Sequence, residues 1–309
     1  MITRLLRLAM TAALLIIVAA CGSTTTPRPS GSGAAPSGSA RPTILPIPIT
    51  QAFRVGDNRI LFTLTDSSGQ KQVAGPDRTL SIGYHGPGGE AIAAAPQTFV
   101  WAIEGVNGVY VGHATFPVAG AWTADFATAA PGSPAETTTF GFDVRERIDT
   151  ISPGDQAPSV DTPTLADVGG DLARISSDPK PVKRFYETSV DAALAAKEPF
   201  VLVFATPKFC QTAQCGPTLD LFKPVAAAHP EVTFINVEPY KLQEVDGQFQ
   251  PVLDENKQLV AADSTTEWGL LAEPWIFAVD RDGVVRGSYE LTISPAELDA
   301  IIPVITAGA

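Results

Sequence analysis

The alternation of apolar and polar positions changes character several times along the chain. Leu8 to Ala20 is an apolar run behind Arg4 and Arg7. It is too short to span a bilayer comfortably and has the layout of an export signal. From Gly22 to about Pro46 large apolar side chains almost vanish ("GSTTTPRPSGSGAAPSGSARPT"). Such a segment cannot bury enough surface to fold. As a coil of about 25 residues it separates its ends by roughly 25 to 30 Å, the behaviour of a tether.

From about Pro48 to Arg147 the pattern is one of short alternating runs: "RILFTLTD", "TLSIGYH", "GVYVGHATF", "GAWTADFAT" and "TTTFGFDVRE". Signals such as Ser-Ser-Gly and Gly-Pro-Gly-Gly separate them, and the runs are rich in β-branched and aromatic residues. This spacing predicts an all-β antiparallel sandwich over residues 48–148. Residues 149–181, rich in Pro, Asp, Gly and Ser, predict a linker. "DVGGDLARIS" within them has glycines but no strand-turn-helix context.

From Lys183 onward the rhythm is α/β. Ser189 caps a helix to about Lys197, and "FVLVFA" (Phe200 to Ala205) is an apolar strand of the kind buried on both faces. A helix over Pro217 to Ala228 leads to the strand "VTFINV" (Val232 to Val237). "WIFAVD" and "VVRGSYE" flank the turn Arg281-Asp282-Gly283, and Ser294-Pro295-Ala296-Glu297 is a capping box opening a last helix to about Ile305. The predicted fold class is multidomain, a β-sandwich followed by an α/β domain over residues 182–309.

Composition narrows the function. A chain of 309 residues with 45% hydrophobic content supports about two cores. A net charge of −12 leaves no basic stripe for phosphates, which argues against a nucleic-acid partner. There is no Gly-rich phosphate loop, no Gly-x-Ser-x-Gly elbow and no His-containing metal motif, so no cofactor and no metal are expected. Trp101, Trp122, Trp268 and Trp275 read as core or rim aromatics, with Trp275 placed to border a substrate groove.

Val18-Ala19-Ala20-Cys21 resembles the bacterial lipobox. The resemblance implies a signal peptide over residues 1–20, lipidation of Cys21, a tether over 21–47 and anchoring to the extracytoplasmic face of a bacterial membrane. The plainer reading is an ordinary signal peptide cut after Ala20, with a free Cys21. Removing the signal also deletes Met1 and Met10, the two methionines of the chain. With Cys21 lipidated, Cys210 and Cys215 are the remaining thiols, an even pair in a disulfide-permissive compartment.

"GVYVGHATFPVAGAW" together with "VGDNRILFTLTDSSGQ" resembles the Ig-like extracytoplasmic modules of the YtkA and FixH families. "FVLVFATPKFCQTAQCGPTLDLF" with "LLAEPWIFAVDRDGVV" resembles the thioredoxin fold over roughly residues 181–306. In that family a buried strand delivers a cysteine motif to a helix N-terminus, opposite a cis-proline, and Pro274 occupies the matching place. The amides and dipole of a helix start favour a thiolate.

The spacing departs from the family's Cys-x-x-Cys, since Cys210 and Cys215 enclose four residues. Either Cys210 takes the place of the first cysteine, with two residues inserted, or "CGPT" aligns with Cys-Gly-Pro-Cys. The second register is preferred because Gly216-Pro217 coincides. It makes Cys215 the attacking thiol and Cys210 its resolving partner. The acid that thioredoxins bury on the strand before the motif has no counterpart in "FVLVFA", so moving a proton to the second sulfur needs water or another group such as Glu238 or Glu273.

The function the resemblance implies is thiol-disulfide exchange with a protein thiol or disulfide substrate or a membrane-protein client. Two alternatives stay open: a binding or assembly module with a structural disulfide, and copper delivery to cytochrome oxidase of the thioredoxin-fold Sco kind. The Sco pattern uses Cys-x-x-x-Cys and a distant His, and no His follows His229. His85 and His113 read as surface or packing residues.

Overall fold

The computed structural model describes residues 42–307 of the chain. They belong to one compact unit, rich in β-structure with several separate sheets. The expected signal, Cys21 and most of the expected tether lie outside the described residues. Among the described residues no helix is long and apolar enough to cross a membrane.

Nine strands build the first region. In order they are β1 (Ile44–Pro48), β2 (Phe53–Arg54), β3 (Gly56–Asp66), β4 (Thr79–His85), β5 (Ala91–Pro96), β6 (Thr98–Ile103), β7 (Asn107–Phe116), β8 (Gly120–Ala130) and β9 (Ser133–Arg145). They form one sheet ordered β1-β3-β7-β6 and a second ordered β2-β9-β8-β4-β5, a sandwich-like pair. Alternation along β8 is clean: Trp122, Ala124 and Phe126 are buried between exposed neighbours. They meet Ile60, Phe62 and Leu64 of β3 in an aromatic-rich core, with Phe62 and Phe126 edge to face at 4.9 Å between ring centroids.

β1 lies where the end of the tether was expected. "ILPIP" carries enough apolar surface to pair with β3, and its prolines are tolerated because β1 is the edge of its sheet.

The second region holds α1 (Val190–Ala196), β10 (Phe200–Phe204), α2 (Cys215–Ala228), β11 (Thr233–Val237), the hairpin β12 (Leu242–Val245) and β13 (Gln248–Pro251), α3 (Asp263–Glu267), β14 (Trp275–Val279), β15 (Val285–Glu290) and α4 (Pro295–Thr306). Its main sheet runs β11-β10-β14-β15. β10 and β11 are parallel, while β10 with β14 and β14 with β15 are antiparallel. "FVLVF" is apolar throughout because the sheet is covered on both faces. Val201 and Val203 pack in a cluster with Leu219 and Phe222 of α2 and Leu298 and Ile302 of α4. Phe200, Leu202 and Phe204 pack in another with Val190 and Ala193 of α1 and Trp268.

Local signals act as expected at two helix ends. The Ser189 hydroxyl accepts from the Ala192 amide, and Ser294 with Glu297 forms a complete capping box. α2 differs, beginning at Cys215 with Gln214 as its N-cap residue. Pro217 therefore sits at the third helical position, where an amide N–H has no intrahelical acceptor in any case.

The expected linker does not hang free. The Ile151 amide donates to the Trp268 carbonyl at 3.2 Å, and the Gly154 and Ala157 amides donate to the carbonyls of Val285 and Gly283. The Thr150 hydroxyl donates to the Gly269 carbonyl at 2.6 Å. Gly269 has φ +65° and so little room that an added Cβ would lie 2.1 Å from the Asp149 carbonyl oxygen, so only glycine fits there.

The two regions meet across polar and apolar contacts. Arg59 of β3 grips Glu297 of α4 in a two-point ion pair at 2.6 and 3.1 Å and lies over the Tyr289 ring. Leu291 packs with Leu61, Ala102, Val109 and Val111 of the first sheet. That sheet is thus covered on both faces, which explains why β7 is buried almost continuously from Gly108 to Gly112.

Candidate functional site

The loop leaving β10 carries Cys210 and returns at Cys215, the first residue of α2. The two sulfurs are joined as a disulfide, with Cα atoms 6.0 Å apart. Ala213, between them, has φ +60°, a conformation costly for a residue with a Cβ. Cys215 is fully buried, whereas Cys210 is partly exposed. The Cys215 amide donates to Cys210 Sγ at 3.2 Å, and the Thr212 hydroxyl lies 3.3 Å from the same sulfur.

The two cysteines are unequally exposed. The preferred alignment makes Cys215 the attacking thiol, and Cys215 is the buried member of the disulfide. Cys210 is the partly exposed member of the pair, and its sulfur receives the amide at the start of α2.

Glu273 stands against the pair. Its carboxylate and both sulfurs lie within 4.8 Å of one another, and its side chain is buried at 4% exposure. The Gln211 amide donates to Oε1 at 2.8 Å, and the Tyr240 hydroxyl donates to Oε2 at 2.6 Å. Burial and the neighbouring carboxylate push the Tyr240 hydroxyl well above its usual range, so it stays a donor. The Thr212 hydroxyl donates to the Glu273 carbonyl at 3.1 Å. The bond from Glu273 to Pro274 is cis, and the Pro274 carbonyl accepts from the Leu291 amide at 2.9 Å.

The other acid considered for proton transfer, Glu238, follows β11 and accepts from the Ser177 amide at 2.6 Å. Burial raises its carboxyl above the ordinary range. It does not join the group formed by Glu273 and the cysteines.

The sandwich reaches this end of α2. Gln214 Nε2 donates to the Ala102 carbonyl at 2.7 Å in a fully buried contact, and the Thr218 hydroxyl donates to the Leu291 carbonyl. On another side a cleft of about 360 Å³ is lined by Lys208 and Phe209 of the cysteine loop and by Leu242, Glu244 and Phe249 of the β12–β13 hairpin.

The remaining expected residues fall elsewhere. His85 pairs with Asp125 and His229 with Glu231, both at the surface. His113 is exposed on β7. Trp122 and Trp268 are fully buried core residues. Trp275 is buried at 9% exposure and lines the cleft between the two regions with Arg59 and Tyr289. Tyr240 and Gln211 carried no motif in the sequence. Only the neighbouring Glu-Pro before a buried strand marked that the loop was occupied.

No family model and no curated protein sequence matches the chain. Among solved structures, a DUF4426 family protein from Pseudomonas aeruginosa PAO1 is similar over 30% of this chain and 76% of that one. The identity is 16% and the TM-score 0.24, a likeness that carries no argument about fold or activity here.

Proposed function

We propose that the second region is a thioredoxin-like domain and that the protein is a thiol-disulfide oxidoreductase acting through Cys210 and Cys215. In this reading the first region is an Ig-like module of the YtkA and FixH type, and Cys21 carries the lipid that holds the protein at the extracytoplasmic face of the membrane. The observation that carries the proposal is the asymmetry of the pair: one sulfur accessible and hydrogen-bonded by the Cys215 amide, the other sealed beneath it.

The chemistry follows from that asymmetry. The Cys210 thiolate attacks one sulfur of a partner disulfide, forming a mixed disulfide and releasing one partner thiolate. The Cys215 thiol then passes its proton to the Glu273 carboxylate and attacks Cys210 Sγ, which frees the second partner thiolate and closes the Cys210–Cys215 bond. The partner gains two electrons and the pair loses two. A protein dithiol must then restore the pair, and the same steps in reverse oxidise a partner dithiol.

One observation favours a second reading, a fixed disulfide in a binding or assembly module. The buried Glu273 carboxylate disfavours thiolates beside it. Equilibration of the purified chain with dithiothreitol buffers separates the two readings. A reduction potential above about −300 mV with catalysed insulin reduction supports exchange. A lower potential without turnover removes it.

A further inference from the structure

Reduction of the pair creates a charge problem at this site. Two sulfurs and a carboxylate then share a pocket in which Cys215 and Glu273 are buried. Among the described residues Glu273 has no Lys, Arg or His partner in an ion pair. Like charges held this close out of water need a compensating cation or retained protons.

We propose that the reduced protein binds one zinc-like divalent ion through Cys210 Sγ, Cys215 Sγ and the Glu273 carboxylate, and that formation of the disulfide expels it. The inference rests on the pair being reducible, as the exchange reading requires.

The donor set selects the ion class. Two thiolates exclude the hard, oxygen-seeking calcium and magnesium ions, and the carboxylate oxygen suits a borderline divalent ion better than copper(I). A tetrahedral site with metal–sulfur bonds of about 2.3 Å and metal–oxygen bonds of about 2.0 to 2.2 Å places its ligand atoms roughly 3.5 to 3.8 Å apart. The Glu273 carboxylate already lies within 4.8 Å of both sulfurs, which are bonded to each other in the disulfide and part to that spacing once reduced.

Supporting contacts are present on each ligand that needs one. Tyr240 and the Gln211 amide fix the carboxylate, one on each oxygen, and each oxygen keeps a second lone pair. The Cys215 amide points at Cys210 Sγ, and the Thr212 hydroxyl lies beside it. These are the outer contacts that orient ligands and ease the charge on a thiolate. The partial exposure of Cys210 leaves a fourth position for water. Binding to the dithiol releases two protons as two sulfur–metal bonds form, and no electron moves. While zinc is bound neither sulfur is free to attack, so the ion holds the exchange reaction off.

The test uses the full chain carrying Cys21→Ala, in mild detergent, so that only the pair contributes thiols. It is reduced with a phosphine, freed of reductant under nitrogen and titrated with zinc against a chromophoric chelator. Cobalt(II) serves as the spectroscopic probe. The expected result is one zinc per reduced chain, no binding by the oxidised chain, and a thiolate-to-cobalt charge-transfer band with tetrahedral ligand-field intensity. Glu273→Gln should weaken zinc by about ten-fold or more, and stoichiometric zinc should stop insulin reduction until a chelator is added.

The oxidised chain has the same sequence and serves as the control if a variant fails to fold. Two titratable thiols with no zinc uptake would overturn the metal site and leave the exchange reading standing. Cysteine-dependent zinc with unchanged affinity in Glu273→Gln would overturn the three-ligand site. A pair that never yields free thiols would overturn both.

Discussion

Among the described residues of the sandwich region no carboxylate is buried: the buried polar residues are Thr50, Asn58, Thr63, Thr65 and Thr128, and the charged Arg59 side chain is turned to the second region, where Glu297 holds it. Thr63 and Thr128 donate to backbone carbonyls of neighbouring strands. In the second region, Glu238, Glu273, Asp280 and Glu290 are all buried. Neutral groups that close local hydrogen bonds cost a fold little, whereas buried carboxylates cost it a great deal unless something holds them. The sandwich therefore behaves as a scaffold, and the second region carries buried carboxyl groups that its packing alone does not require. Glu273 places one of them against two sulfurs.

The contrast breaks most completely at the cysteines. Cys210→Ser or Cys215→Ser should abolish catalysed insulin reduction while leaving the far-ultraviolet circular dichroism of the β-rich chain unchanged. Either variant keeping its turnover would remove the site from the chemistry. Trp122→Ala, in the sandwich core, should do the opposite. It is expected to lower unfolding free energy by about 3–5 kcal/mol, measured in urea, with the reactivity of the pair unaltered below the transition.

Glu290 sharpens the comparison through pH. Burial pushes its carboxyl up to about 8, against a partial counter-effect from the Gln51 amide and Arg59. The folded state therefore binds the proton more tightly than the unfolded one, so stability falls as pH rises from about 4.5 to about 8 and is flat above that. Glu290→Gln should remove this slope and stabilise the protein above pH 8 by on the order of a few kcal/mol. An unchanged pH profile would show the carboxyl to be solvated. The smallest expected effect is that of Tyr240→Phe, which deletes one donor to the buried Glu273 carboxylate and should cost about 1–3 kcal/mol. The loss should shrink if Glu273→Gln is made first.

Much of the fold was legible because period and chain direction carry it. The clean alternation of "GAWTADFAT" marked a half-exposed strand, the unbroken "FVLVF" a strand covered on both faces, and Ser294 to Glu297 a helix start. β5 was missed because "AIAAAP" has neither aromatic residues nor a buried face. The β12–β13 hairpin was missed because its exposed, polar strands bury too little to leave a pattern. The cysteines and Pro274 were found from motif, but which of the two is exposed was not. Which sulfur faces solvent depends on where α2 begins, and Gly216-Pro217 suggested a start two residues later than the one observed. Glu273 was weighed only as one of two acids, because its placement depends on a loop conformation that leaves no periodic trace.

The exchange reading requires that Cys210, not Cys215, meet the partner. Full-length Cys215→Ser and Cys210→Ser chains, each reduced and mixed with a model aromatic disulfide under native conditions, should differ sharply in the rate of mixed-disulfide formation followed by mass spectrometry. Cys210 should be modified rapidly in the first chain, and Cys215 in the second should stay protected until denaturant is added. Equal rates, or reaction at Cys215 alone, would contradict it.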